Sequence, residues 1–184
     1  MANFKMGSQT VFTQTDDNRP VYGSGVPAGT IKQIVSGQRT TTATCSAGST
    51  NTDPGSNWVD VLSVNITPAS GTKCMIMIDA IVGTNGASGY ALVRVLRDST
   101  QLNKIDGRTY GWEALAAAGT QVSVPYSRII YDTHGANGST QVTYKIQLGR
   151  QNASHDVFIG RSFSGTDNSY NSSRSTTMTI MEIQ

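Results

Sequence analysis

The chain has 184 residues, 37% of them hydrophobic and only 14% charged, with 14 basic and 12 acidic side chains giving a formal net charge of +2. That length suits one domain plus an extension, and the polar excess is Ser, Thr, Gly and Asn rather than charge, unlike a disordered chain. There is no basic run to neutralise phosphates, which excludes a nucleic-acid-binding stripe, and no apolar stretch long enough for a helical membrane span.

Residues 1–29 contain Pro20, Pro27 and several glycines, and their apolar residues follow neither a helical nor a strict strand period. Phe4, Met6, Val11, Phe12, Val21, Tyr22 and Val26 read as pegs, each stabilised by a groove on a partner or on a sister subunit. The segment is expected to be an extended attachment arm whose short extended pieces, such as Thr10–Thr13, are isolated. The apolar core of a secretory signal is missing from MANFKMGSQT, so the protein is expected to stay in, or assemble in, a cytoplasm.

Residues 30–56 are expected to form an extended linker and first strand. TIKQIV opens it, a Thr-rich stretch follows Gly37, and Asp53-Pro54-Gly55 has tight-turn chemistry. From residue 57 to 184 the texture changes to short alternating runs. NWVDVLSVNITP puts Trp58, Leu62, Val64 and Ile66 on one face, interrupted by Asp60. KCMIMIDAIVG is apolar on both faces, as a central or interface strand is. YALVRVLRD follows the Gly-rich tip TNGASG. Ala114–Ala118 suggests one helical turn, too short to carry a helical domain. VPYSRIIYDT, QVTYKIQLGR, HDVFIGRSF and STTMTIMEIQ complete about eight strands. The pattern predicts an all-β fold: a single jelly-roll-like antiparallel β-sandwich with an extended N-terminal arm.

Chemistry-bearing constellations are weak. His134 and His155 each have an aspartate nearby, Asp132 and Asp156, but solvated loop positions explain both histidines better. There is no G-x-S-x-G elbow, no Cys–His context and no P-loop. Asp60, Asp79 and Glu113 interrupt apolar stretches and are expected at a rim, in pairs with Arg94 or Arg97, or at a subunit contact. Cys45 and Cys74 lack CxxC spacing and are expected as two reduced thiols, although a bridge across strands stays open. No catalytic, metal or cofactor site is expected. Tyr110, Trp112, Tyr126 and Tyr170 are candidates for stacking on a glycan or, with more weight, for packing between subunits.

From residue 57 onward, four segments in order carry a resemblance. They are the hairpin NWVDVLSVNITPASGTKCMIMIDAIVG, the strand ALVRVLRDSTQL, the segment IIYDTHGANGSTQVTYKIQLG and the closing SSRSTTMTIMEIQ. Together they resemble the small β jelly-roll domains of tailed-bacteriophage virion proteins, found in capsid decoration (cement) proteins and at tail-fibre tips. GVPAGTIKQIV is similar to the stretches that lead into such domains. The resemblance covers about two thirds of the chain and carries no catalytic residue. It implies a homotrimer on the virion surface, assembled in the host cytoplasm. The short arm favours a decoration protein bound to the major capsid protein over the alternative, a short tail fibre or adaptor contacting a tail protein and a host surface glycan. Neither a nucleic acid nor a membrane is an expected partner.

Overall fold

In the computed structural model, the described residues are 3–6, 9–14, 20–22, 28–46, 57–85, 90–103, 113–116, 123–151, 155–161 and 174–184. Among them every regular element is a β-strand. The strands are β1 (Asn3–Met6), β2 (Gln9–Gln14), β3 (Pro20–Tyr22), β4 (Ile31–Arg39), β5 (Ala43–Cys45), β6 (Val59–Ile66) and β7 (Lys73–Thr84). They continue with β8 (Tyr90–Arg97), β9 (Thr100–Gln101), β10 (Glu113–Ala116), β11 (Ser123–Asp132), β12 (Val142–Arg150), β13 (Val157–Ile159) and β14 (Thr176–Ile183).

The longest strand organises the body. All twelve residues of β7 are extended, and both of its edges are paired. On one edge β14 takes Lys73–Asp79 and β13 takes Val82–Thr84, while β11 runs antiparallel along Cys74–Gly83 on the other. Beyond β14 lies β4, and beyond β13 lies β5, completing a six-stranded sheet. The second sheet has the order β10-β8-β12-β6, with the short β9 also on β8. The chain passes between the two sheets at most connections, which is the jelly-roll-like sandwich expected of its strand spacing. β4 and β5, expected as a linker and first strand, are strands of this body.

The core lies between the sheets. Ile76, Ile78, Ala80 and Val82 of β7 meet Val93 and Val95 of β8 and Tyr144, Ile146 and Leu148 of β12, all buried. Each such Ile or Leu contributes about 1.5–3 kcal/mol of transfer free energy. Alternation along β7, β12 and β14 follows from the two-residue period of a strand facing one core.

Three expectations change. In β6 Val61 is buried together with Val64 and Ile66, and Leu62 is half-buried. A register shift opposite Ile146 and Gln147 inserts an extra residue, so Asp60 turns outward instead of interrupting the core face. Residues 114–116 are strand, not helix: Glu113–Ala116 pairs with Tyr90–Val93, because the exposed edge of β8 offers the ladder that a short alanine run cannot build as a helix. The N-terminal pieces are not isolated. β1, β2 and β3 form their own antiparallel sheet in that order.

One side of the sandwich is closed by β4 approaching β6. Gly37 permits it: a Cβ there would lie 2.6 Å from Val64 Cγ2 and 3.4 Å from Leu62 Cδ1. Arg39 Nη1 donates to Val61 O at 3.0 Å and Gln33 Nε2 to Thr67 O at 3.0 Å across the same seam. Where β4 begins, Gly29 N donates to Gln184 O at 2.8 Å and Gln184 N to Thr30 O at 2.9 Å. The start of the sandwich is thus tied to the end of β14. Val64 is buried and β-branched, so it cannot rotate away cheaply. The Gly37→Val variant is therefore expected to lose about 1–3 kcal/mol, measured by urea unfolding with tryptophan fluorescence.

Candidate functional site

The inner face of the six-stranded sheet ends in a polar row. Glu182, Cys74 and Asp132 stand side by side on β14, β7 and β11, and all three are buried. Asp132 accepts from Arg97 Nη1 at 2.8 and 3.0 Å and from Tyr144 Oη at 2.7 Å. Tyr144 also lies within hydrogen-bonding reach of the Cys74 thiol. Glu182 accepts from Gln33 Nε2 at 2.6 Å, Ala69 N at 2.8 Å and Thr72 Oγ1 at 2.8 Å.

His134 completes the group and is not the solvated loop residue expected. Its Nδ1 accepts from Ala136 N at 2.9 Å, which assigns the proton of the neutral ring to Nε2, 3.2 Å from Thr72 Oγ1. The order His134 Nε2–H, Thr72 Oγ1–H, Glu182 Oε1 then gives each of these three groups a partner, with Ala69 O a second acceptor 2.8 Å from the same hydroxyl. Within this cluster each nucleophile and base is already engaged. Burial pushes the Cys74 thiol up, with smaller raising contributions from Glu182 and Asp132, and burial also pushes the Tyr144 phenol up. The arrangement ties the 67–72 turn, the 133–136 segment and β14 together; it does not activate a group. Cys45 and Cys74 are both buried and are not joined in a disulfide.

The outer faces of the two sheets differ. On β6, β8 and β12 some of the outward residues make a polar web, beside Leu92 and Leu96, which share the outward parity of Arg94 on β8 and are buried. Arg94 lies 4.1 Å from the Trp58 ring centre and donates to Gln147 Oε1 at 2.6 Å, and Gln147 in turn donates to Asp60. Lys145 stands 3.8 Å from Asp60. On the six-stranded sheet, register sets Ile34, Met181, Met75 and Tyr131 in one row across β4, β14, β7 and β11. The next row is Ser36, Thr179, Met77 and Ile129. Ile34 is 54% exposed, Ile129 61% and Tyr131 67%, and Ile31 at the end of the same face is 41% exposed. Among the described residues only Tyr90 is a further large hydrophobic exposed to this degree.

The expected contact residues separate. Phe4 and Met6 lie in β1, Val11 and Phe12 in β2, Val21 and Tyr22 in β3. Phe4 pairs with Phe12 and Phe12 with Tyr22, so three aromatic positions form one cross-strand row. Val26, Tyr110, Trp112 and Tyr170 lie outside the described residues. Tyr126 is a correction: it is fully buried on the inner face of β11, with the Arg128 guanidinium 5.0 Å from its ring centre, and offers no face to a glycan or a neighbour. Its inward parity, shared with Asp132, decides this. Asp79 sits on the outer face, 3.8 Å from Arg174. Glu113 opens β10 opposite Val93.

Among the described residues no group of three or more His, Cys, Asp or Glu is placed to hold a metal ion, and no helix is long and apolar enough to cross a membrane. A scan against protein-family models and a search of curated proteins return no match to the chain.

Two outcomes are expected of the buried cluster. Tyr144→Phe keeps the ring but removes a hydrogen bond to a carboxylate, and loses about 1.5–3 kcal/mol in urea unfolding. For pH, a thiol and a phenol whose folded pKa values are raised hold their protons more tightly than the unfolded chain does. Their stabilising contribution is complete below the ordinary thiol value of 9.0 and is lost as pH rises beyond it. Melting temperatures taken from about pH 7 to about pH 11 should therefore decline on the alkaline side, less steeply in Cys74→Ala; equal slopes would contradict the assignment.

Proposed function

We propose that the protein is a non-enzymatic structural component of a tailed-bacteriophage virion, a homotrimeric decoration (cement) protein that binds the major capsid protein through its N-terminal segment and stabilises the head. The observation that carries this reading is the separate N-terminal sheet. β1, β2 and β3 pair with one another, and their ladder places Phe4, Phe12 and Tyr22 in one row. Three strands this short are marginal alone and gain stability when an apolar face is covered. A small sheet with an aromatic row, ahead of a body that has its own core, suits an anchor and a projecting module.

The sequence resemblance from residue 57 onward supports the phage assignment. The polar web on β6, β8 and β12 suits a surface turned to solvent. Many copies, each making a modest contact, would hold a shell together by avidity. The tail-fibre reading rested partly on aromatic residues available to a glycan, and Tyr126 is withdrawn from that set by its burial.

Deletion of residues 1–27 is the test. The sandwich is expected to stay folded and soluble, keeping the bonds of Gly29 and Thr30 to Gln184. It should no longer bind particles stripped of the protein, and such particles should not regain heat resistance. The full chain should bind in hundreds of copies per particle, as an estimate from shell symmetry. Full particle binding by the deletion variant, or a few copies at the tail alone, would overturn the proposal.

A further inference from the structure

The outer face of the six-stranded sheet leaves Ile31 and Ile34 exposed at one flank and Ile129 and Tyr131 at the other. The four exposed side chains on it leave on the order of 500 Å² of mostly apolar surface open, the size at which a patch marks a contact site. With the half-buried Met75, Met77 and Met181 between them and a polar rim, the footprint approaches the roughly 800 Å² per subunit of a stable interface.

The chemistry of the face indicates what covers it. Asp79, the acid that opens onto it, lies within ion-pair distance of Arg174, and the exposed Lys73 lies at the end of β7 with the same outward parity, so the middle of the patch presents little to steer a charged partner. Its largest exposed groups are split between the two flanks, Ile31 and Ile34 on β4, Ile129 and Tyr131 on β11. The flexible methionine side chains lie in the middle, where they adapt to whatever packs on them. A surface with apolar groups at both flanks is complementary to its own copy when flank meets opposite flank, the condition for a closed ring.

We infer that this face is the contact between copies of the chain: the β4 flank of one copy packs on the β11 flank of the next, and Met75, Met77 and Met181 turn toward the common axis. The inference rests on the homotrimer reading and names the surface that makes the trimer.

The experiment measures the mass of the full chain by light scattering over a dilution series. The natural chain is expected to run as three copies. Ile129→Lys combined with Tyr131→Lys changes two exposed positions and should weaken assembly by about a thousandfold or more, as loss of two central apolar contacts does, with the circular-dichroism melt still cooperative. Thr143→Lys, on β12 of the opposite sheet, should leave the mass unchanged. A second variant guards against misfolding: Ile34→Cys combined with Tyr131→Cys should give disulfide-linked oligomers on oxidation, since both natural thiols are buried. A trimer whose mass survives the lysine pair and whose cysteine pair does not cross-link would overturn the interface while leaving the trimer reading intact. A natural chain that stays monomeric would overturn both, including the case in which the N-terminal sheet covers the face.

Discussion

The fold depends on one strand being apolar on both sides. β7 gives Ile76, Ile78, Ala80 and Val82 to the space between the sheets and Met75, Met77 and Ile81 to the face behind. A strand of that kind cannot sit at an edge facing water; it must be flanked and covered. Flanking is met within the chain by β11 on one edge and by β14 and β13 on the other. Covering is complete on the inner side, while Met75, Met77 and Ile81 on the outer side are only half-buried. The second sheet supplies the inner layer, and its own outer face carries the charges and amides of Asp60, Arg94, Lys145 and Gln147 beside the buried Leu92 and Leu96.

At one end of the same strand the problem is inverted. Cys74 is flanked by two buried carboxylates, and apolar surroundings would make either one costly. The fold answers with donors: an arginine and a phenol for Asp132, an amide, a backbone N–H and a hydroxyl for Glu182. These donors come from β4, the 67–72 turn, β8 and β12, so the row also fixes how the sheets meet. Net stabilisation from such a cluster is modest, but breaking one member leaves the others buried and unpaired. That makes it a lock on geometry more than a source of binding energy.

Much of this was legible in the strands one at a time. STTMTIMEIQ shows its two faces by parity: Met178 and Ile180 go inward, and Met181 and Ile183 mark an outer side that is itself apolar. KCMIMIDAIVG reads as central for the same reason, and it is. Glu182 shares the inward parity of Met178, a sign of a buried acid that reading along the chain passed over. What the strands did not show is register. The bulge that turns Asp60 outward and the meeting of Glu182, Cys74 and Asp132 arise between strands distant in sequence, and the cross-strand row of Phe4, Phe12 and Tyr22 arises from the register of three consecutive short strands. Tyr126 is the reverse case: its type suggested a contact, while its parity with Asp132 already placed it inside.

The backbone bonds between Gly29, Thr30 and Gln184 bring the two ends of the sandwich to a single point. A peptide or fluorescent domain fused after Gln184 would therefore leave the body beside Gly29 and Thr30, where the chain enters β4. Cargo meant to face away from that point belongs in a distant hairpin. The same proximity makes the sandwich a natural subject for circular permutation, with old termini joined by a short linker and new ones opened elsewhere.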